Sequence, residues 1–124
     1  MGKKHSQKFV DLVNEALNRV DEISPAEVVS RLQAGVSFEL IDVREADEYE
    51  SGHIPGARHL SKGIIERDIA DHVPDTDREI VLYCGGGYRS VLAGDNLQKM
   101  GYSNVKSMAG GWRQWRENGF ESLR

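Results

Sequence analysis

Glu79-Ile80-Val81-Leu82-Tyr83-Cys84-Gly85-Gly86-Gly87-Tyr88-Arg89-Ser90 is the stretch that decides the fold. Its first five residues give the strongest strand signal in the chain. From Ile80 to Tyr83 the run is apolar without alternation, the pattern of a strand covered on both faces. Three glycines break it at once. Helical spacing follows over about residues 89–100 and stops at Gly101. A strand, a tight glycine turn and a helix make one unit of a parallel sheet. In such sheets ligands sit beyond the carboxyl ends of the strands, and Cys84 lies at one.

The same alternation extends in both directions. Upstream, residues 38–43 read as a second covered strand. Residues 45–50 read as a short acidic helix, 57–60 as a short strand and 61–70 as a helix with Ile64, Ile65 and Ile69 on one side. Gly52-His53-Ile54-Pro55-Gly56 is a turn. Further back, Ser24-Pro25-Ala26-Glu27 is an N-cap, a proline at the first helical position and an acid in the first turn. The helix it opens ends at Gly35, and Ile23 is expected to begin a short edge strand before it. Downstream, residues 105–108 form the last strand, and Gly110-Gly111 lead into a final helix carrying Trp112 and Trp115. Strands alternating with helices at this spacing predict an α/β fold, a parallel sheet with helices on both faces.

In front stands an amphipathic helix over residues 6–20, with Phe9, Leu12, Val13, Ala16, Leu17 and Val20 at helical spacing. It reads as an extension, residues 1–21, ahead of a main domain, residues 22–124. Its apolar stripe must cover either this domain or another copy, so a homodimer through this helix is one expectation.

The bulk numbers narrow the function. The 124 residues fit one domain with one core. A formal net charge of -4, with bases scattered among acids, argues against a nucleic-acid partner. No run of about 18 apolar residues offers a membrane span. The start, Met1-Gly2-Lys3-Lys4-His5-Ser6, lacks the apolar core of a secretory signal, so the cytoplasm is the expected location. Gly2 with Ser6 fits the formal myristoylation pattern, a match short enough to arise by chance. One cysteine allows neither an internal disulfide nor a CxxC redox or zinc site, and no metal or other cofactor is expected. A lone cysteine is either a small buried hydrophobe or a nucleophile, and its surroundings decide.

Those surroundings favour the nucleophile. A thiol attacks as the thiolate, and the ordinary cysteine pKa is about 8.5, so the negative charge needs support. A helix N-terminus brings unpaired N–H groups and a positive dipole end. Gly85, Gly86 and Gly87 allow successive amides to point inward. Arg89 brings a forked cation suited to oxyanions, placed against the helix dipole's preference. Ser90 adds a hydroxyl donor. Cysteine-dependent phosphatases carry a similar loop with five residues between cysteine and arginine. Here there are four, Gly85, Gly86, Gly87 and Tyr88, which makes a narrower cradle that admits a terminal sulfur and crowds a phosphate ester.

At these residues the chain resembles a single-domain rhodanese, a thiosulfate sulfurtransferase-like protein. Three blocks carry the likeness. The first runs from Leu40-Ile41-Asp42-Val43-Arg44-Glu45 through Glu48-Tyr49 to Gly52-His53-Ile54-Pro55-Gly56-Ala57. The second is the loop from Cys84 to Ser90, which fits a Cys-x-x-Gly-x-Arg pattern. The third is Met108-Ala109-Gly110-Gly111-Trp112, followed by Trp115. The resemblance implies a three-layer α/β/α fold with a five-stranded, mostly parallel sheet in the order 3-2-4-5-1. It also implies a persulfide on Cys84, loaded from thiosulfate or polysulfide and unloaded to cyanide or a cellular thiol.

Within that picture Gly85, Gly86, Gly87, Tyr88, Arg89 and Ser90 form the substrate cradle. Asp42 is expected to order backbone amides at the base of the loop. Arg44 either touches substrate from its strand end or pairs with Glu48. His53 is expected to hydrogen-bond locally, and the two tryptophans to pack in the core or rim. The partners implied are a small anionic sulfur donor and an external thiol or protein acceptor, because no second cysteine can take the sulfur within the chain. A non-catalytic sulfur-carrier or protein-binding module is the alternative. A phosphatase or arsenate reductase is disfavoured by the loop length and the single cysteine.

Overall fold

A computed structural model describes residues 4–124. The elements, in chain order, are α1 (Gln7–Ala16), β1 (Asp21–Ile23), α2 (Pro25–Gln33), β2 (Glu39–Asp42), α3 (Ala46–Ser51) and β3 (Arg58–His59). They continue with α4 (Ile65–His72), β4 (Ile80–Tyr83), α5 (Arg89–Lys99), β5 (Val105–Met108) and α6 (Gly111–Glu117). The five strands form one sheet in the order β1-β5-β4-β2-β3, the implied order read from the opposite edge. Every pairing is parallel.

Period-two alternation explains why β4 is apolar throughout. Ile80 and Leu82 face one layer, where Ile65 and Ile69 of α4 and Ala93 and Leu97 of α5 complete a core. Val81 and Tyr83 face the other, with Val28 of α2 and Trp115 of α6. All four β4 residues are fully buried. The central strand thus has helices on both sides, and its end is fixed from both.

Several boundaries differ from the sequence reading, and three have a local physical reason. α1 stops at Ala16, not Val20, because the chain turns through residues 17–19 to lead directly into β1. Ile23 ends β1 instead of beginning it, since Ser24 must cap α2, which it does with a capping box to Glu27. Residues 61–64 form turns before α4: the Lys62 N–H is spent on the Val43 carbonyl at 2.9 Å, and Gly63 weakens any helix there. The Gly2 of the myristoylation pattern lies outside the described residues.

The stripe of α1 covers its own chain. Val13, Ala16 and Val20 pack with Val91 of α5, flanked by Phe9, Leu17 and Leu92. Arg19 locks the junction, with Nε 2.8 Å from Asp95 on α5 and a guanidinium nitrogen 2.6 Å from Glu15. Leu12 remains 54% exposed. α1 is therefore seated on the helix whose first turn carries Arg89 and Ser90.

Candidate active site

Cys84 follows β4 directly and is 1% exposed, at the floor of a cavity of about 950 Å³. Its sulfur accepts a hydrogen bond from the Gly87 N–H at 3.2 Å and from the Ser90 N–H at 3.4 Å. The Ser90 hydroxyl lies 3.4 Å away, and that hydroxyl is 2.7 Å from the hydroxyl of Ser107 on β5. Both serines are fully buried. Two amides and a hydroxyl converging on one sulfur are the donor set that holds a sulfur anion.

The three glycines serve different ends. Gly87 adopts φ +94°, and a Cβ there would stand 2.9 Å from the Gly110 nitrogen. Gly85 leaves room for Arg89, whose Nη2 would be 3.2 Å from an added Cβ. Gly86 is exposed in the cavity wall.

The loop is held from behind by α6. The Trp112 N–H donates to the Cys84 carbonyl at 2.7 Å, and the Arg113 N–H to the Gly85 carbonyl at 3.0 Å. Orphan donors of a helix start are thereby matched with carbonyls that the loop itself leaves free. Gly111 permits the approach: at φ +58°, a Cβ would collide with the Cys84 oxygen and with both carbonyl atoms of Gly85.

Arg89 lines the cavity and forms a forked ion pair with Glu48 of α3, at 3.2 and 3.3 Å. Burial acts to lower the Arg89 pKa, but the Glu48 carboxylate and the nearby Cys84 sulfur outweigh it and raise it. Burial likewise acts to raise the Glu48 carboxyl. Arg89, the Glu45 N–H and the charge of Arg44 overcome this and hold it below the ordinary glutamate range.

Two expectations need correcting. Arg44 neither touches the cavity nor pairs with Glu48. Its guanidinium is 3% exposed and bound to Asp42, with Nη2 to Oδ2 at 2.7 Å, and it donates to the Gly52 carbonyl at 2.7 Å. It packs over the Trp112 ring at 4.8 Å, and that ring, not Arg44, meets the cavity. Asp42 does not order the cysteine loop. It accepts from the Arg44 N–H at 2.9 Å and from the Arg44 side chain, so it organises the strand end of the neighbouring β2.

His53 does bond locally, its Nδ1 2.9 Å from the Tyr49 carbonyl, with its ring stacked on Tyr49. Trp115 is core, and its indole N–H donates to the Glu121 carbonyl at 2.9 Å. Cys84, Gly85, Gly86, Tyr88 and Arg89 are thus brought to one cavity, while Ser90 reaches the sulfur from beneath. Sequence reasoning missed Glu48 as the partner of Arg89, Ser107 behind Ser90, and a wall that comes from the N-terminal segment. That wall consists of Lys4, His5, Ser6 and Phe9. The periodicity of α1 pointed to an apolar face but not to where its N-terminal end would lie.

The rhodanese-like domain family model matches residues 24–118, so the chain belongs to that family. The "Putative sulfur carrier protein YrkF" of Bacillus subtilis is 33% identical over 102 residues, covering 82% of this chain and 54% of the relative. The chain spans 54% to 61% of the length of the first three curated relatives it matches. Among solved structures, the polysulfide-sulfur transferase homodimer of Wolinella succinogenes is 30% identical with a TM-score of 0.78, covering 94% of this chain and 87% of that one. A Rhodopseudomonas palustris protein of unknown function, described as a possible tyrosine phosphatase, is 27% identical with a TM-score of 0.81 and 98% coverage of both chains. Family and relatives together support sulfur transfer in general.

Proposed function

We propose that this protein is a sulfurtransferase that moves sulfane sulfur from thiosulfate or polysulfide to a thiol or to cyanide through a persulfide on Cys84. One observation carries the reading: a solitary cysteine sulfur at the floor of a cavity, with two amides and a hydroxyl aimed at it and a guanidinium in the wall above. In the first half-reaction the Cys84 thiolate attacks the outer sulfur of thiosulfate. A new S–S bond forms, the donor's S–S bond breaks, and its electron pair leaves with sulfite. In the second, an acceptor thiolate attacks the outer sulfur of the persulfide, and the electron pair of the breaking bond returns to Cys84. The acceptor thiol gives its proton to solvent, charge balances in both steps, and no redox partner is consumed. The amides of Gly87 and Ser90 favour each anionic state.

A carrier that holds the sulfur for a partner protein is the second reading, favoured by the sulfur-carrier name of the Bacillus relative. Turnover separates the two. Thiocyanate formation from thiosulfate and cyanide, abolished in Cys84→Ser, supports the enzyme; loading without turnover on cyanide or any small thiol supports the carrier. Cys84-dependent hydrolysis of an aryl phosphate, with no thiocyanate formed, would overturn both. Among the described residues no helix is long and apolar enough to cross a membrane, and a cytoplasmic location is part of this reading. A homodimer through α1 would have to use what that helix leaves exposed, Leu12 foremost, and sedimentation at micromolar concentration distinguishes it from a monomer.

A further inference from the structure

The N-terminal segment lies outside the family match yet forms part of the cavity that holds Cys84. His5, Phe9 and Tyr88 make one aromatic cluster there. The ring centroids of His5 and Tyr88 are 4.7 Å apart, those of His5 and Phe9 5.1 Å, and those of Phe9 and Tyr88 6.0 Å. Tyr88 belongs to the cysteine loop, so the cluster joins the extension directly to the reacting centre. The join is held in place. Ser6 caps α1 by accepting from the Phe9 N–H at 3.2 Å, α1 is packed onto α5, and Arg19 in the turn after α1 is ion-paired to Asp95 of α5.

The cavity is far too large for the proposed donor. About 950 Å³ lies at the upper end of the range that houses drug-sized ligands, and thiosulfate fills a small part of it. Its charges are also unevenly spent. Arg89 is matched by Glu48, whereas Lys4 and Arg113, on the same lining, have no ion-pair partner among the described residues. The site therefore offers an anion hole at the sulfur, an aromatic wall beside it and two unmatched cations.

We infer that the N-terminal segment completes an acceptor subsite, with His5 and Phe9 as specificity-determining residues, for a low-molecular-weight thiol of about tripeptide size that carries carboxylates. This rests on the sulfur-transfer reading of Cys84 and adds residues outside the family match that would select the acceptor. The aromatic wall takes the acceptor's body, and Lys4 and Arg113 take its carboxylates. The thiolate then reaches the outer sulfur of the persulfide as described above.

The test uses the full chain, first loaded with thiosulfate and followed by sulfite release, then unloaded to glutathione, 2-mercaptoethanol or cyanide as probes. His5→Ala should raise the KM for glutathione roughly threefold to tenfold, as loss of an aromatic contact does, and move the kcat/KM for cyanide less than twofold. His5→Phe should keep the lower KM. Arg113→Glu should raise the KM for glutathione and not for uncharged 2-mercaptoethanol. Leu12→Ala, on the exposed side of α1, controls for general effects on the helix. Equal changes for glutathione and cyanide in His5→Ala, or no change in either, would overturn the inference. So would normal loading with no transfer to glutathione, an outcome that leaves sulfur transfer by Cys84 standing. Failure to load at all would instead remove the reading on which the inference rests.

Discussion

Substituting Gly111 by alanine tests how the cysteine loop is held. Two effects add at this position. The backbone at φ +58° costs a non-glycine residue about 1 to 2 kcal/mol. The new Cβ would also collide with the Cys84 oxygen and stand 2.9 Å from the Gly85 carbonyl carbon and oxygen. All three are backbone atoms at the end of the central strand, so no side-chain rotation relieves the contact. The start of α6 must withdraw, which loosens the Trp112 and Arg113 donations to Cys84 and Gly85, each worth about 1 kcal/mol net. The sum is about 3 to 4 kcal/mol, which for a domain of this size lowers Tm by on the order of 10 °C. Gly35→Ala is the matched control, with φ +70° and open space around the would-be Cβ, so it carries the backbone cost alone. Thermal unfolding of both variants, with thiosulfate loading of Cys84 measured well below their transitions, separates the effects. Gly111→Ala should be less stable than Gly35→Ala by about 2 kcal/mol, about the worth of the two loosened donations, and should load at least tenfold more slowly. Equal stabilities together with wild-type loading would refute the idea that α6 supports the loop.

Three further outcomes follow from the site. Glu48→Gln removes the anion that competes for Arg89, so the KM for thiosulfate should fall about twofold to fivefold, the worth of a half-exposed ion pair; an unchanged or raised KM contradicts that role. Because the folded state holds Glu48 below the ordinary glutamate range, the stabilisation from this pair is full above that range and lost as pH falls through the lower folded value. The wild-type KM should therefore approach the variant's only in acid below the usual glutamate range, as a pH series would reveal. Ser90→Ala deletes the hydroxyl beside the sulfur and strands Ser107, so loading should slow about tenfold while the Gly87 and Ser90 amides still act; loading at the wild-type rate would show that the hydroxyl is idle. Arg44→Met leaves the fully buried Asp42 charge unpaired and should cost about 3 to 5 kcal/mol in denaturant unfolding. Asp42→Asn added to it should recover part of the loss, and a single variant as stable as wild type would exclude a structural role for the pair.

What the sequence made legible is local. The β4 run, the glycine break and the helix after Arg89 each have a short-range physical signature, and together they position Cys84 without any knowledge of the rest. Side-chain partners across the fold were less legible. Glu48 and Arg44 share helical spacing, which suggests a pair, but Arg44 still follows the strand and turns inward to Asp42. Glu48 is left to meet Arg89, 41 residues further along the chain. Ser107 carries no local signal, because a serine in a strand acquires meaning only from the neighbouring helix that brings Ser90 to it. Gly110-Gly111 read as a lead into a helix; Gly110 is needed for its left-handed backbone and its closeness to the Gln114 side chain, whereas the reason for Gly111 is the close passage of α6 behind the Cys84 carbonyl, a contact between elements far apart in sequence.

The most direct test of the account is the mass of the intact protein after brief exposure to thiosulfate or polysulfide. Wild type should gain the mass of one sulfur atom, and the gain should disappear on addition of cyanide or a thiol. Cys84→Ser should gain nothing. A wild-type protein that takes up no sulfur from either donor, or a Cys84→Ser variant that takes up as much, would contradict the central claim that a persulfide on Cys84 carries the function.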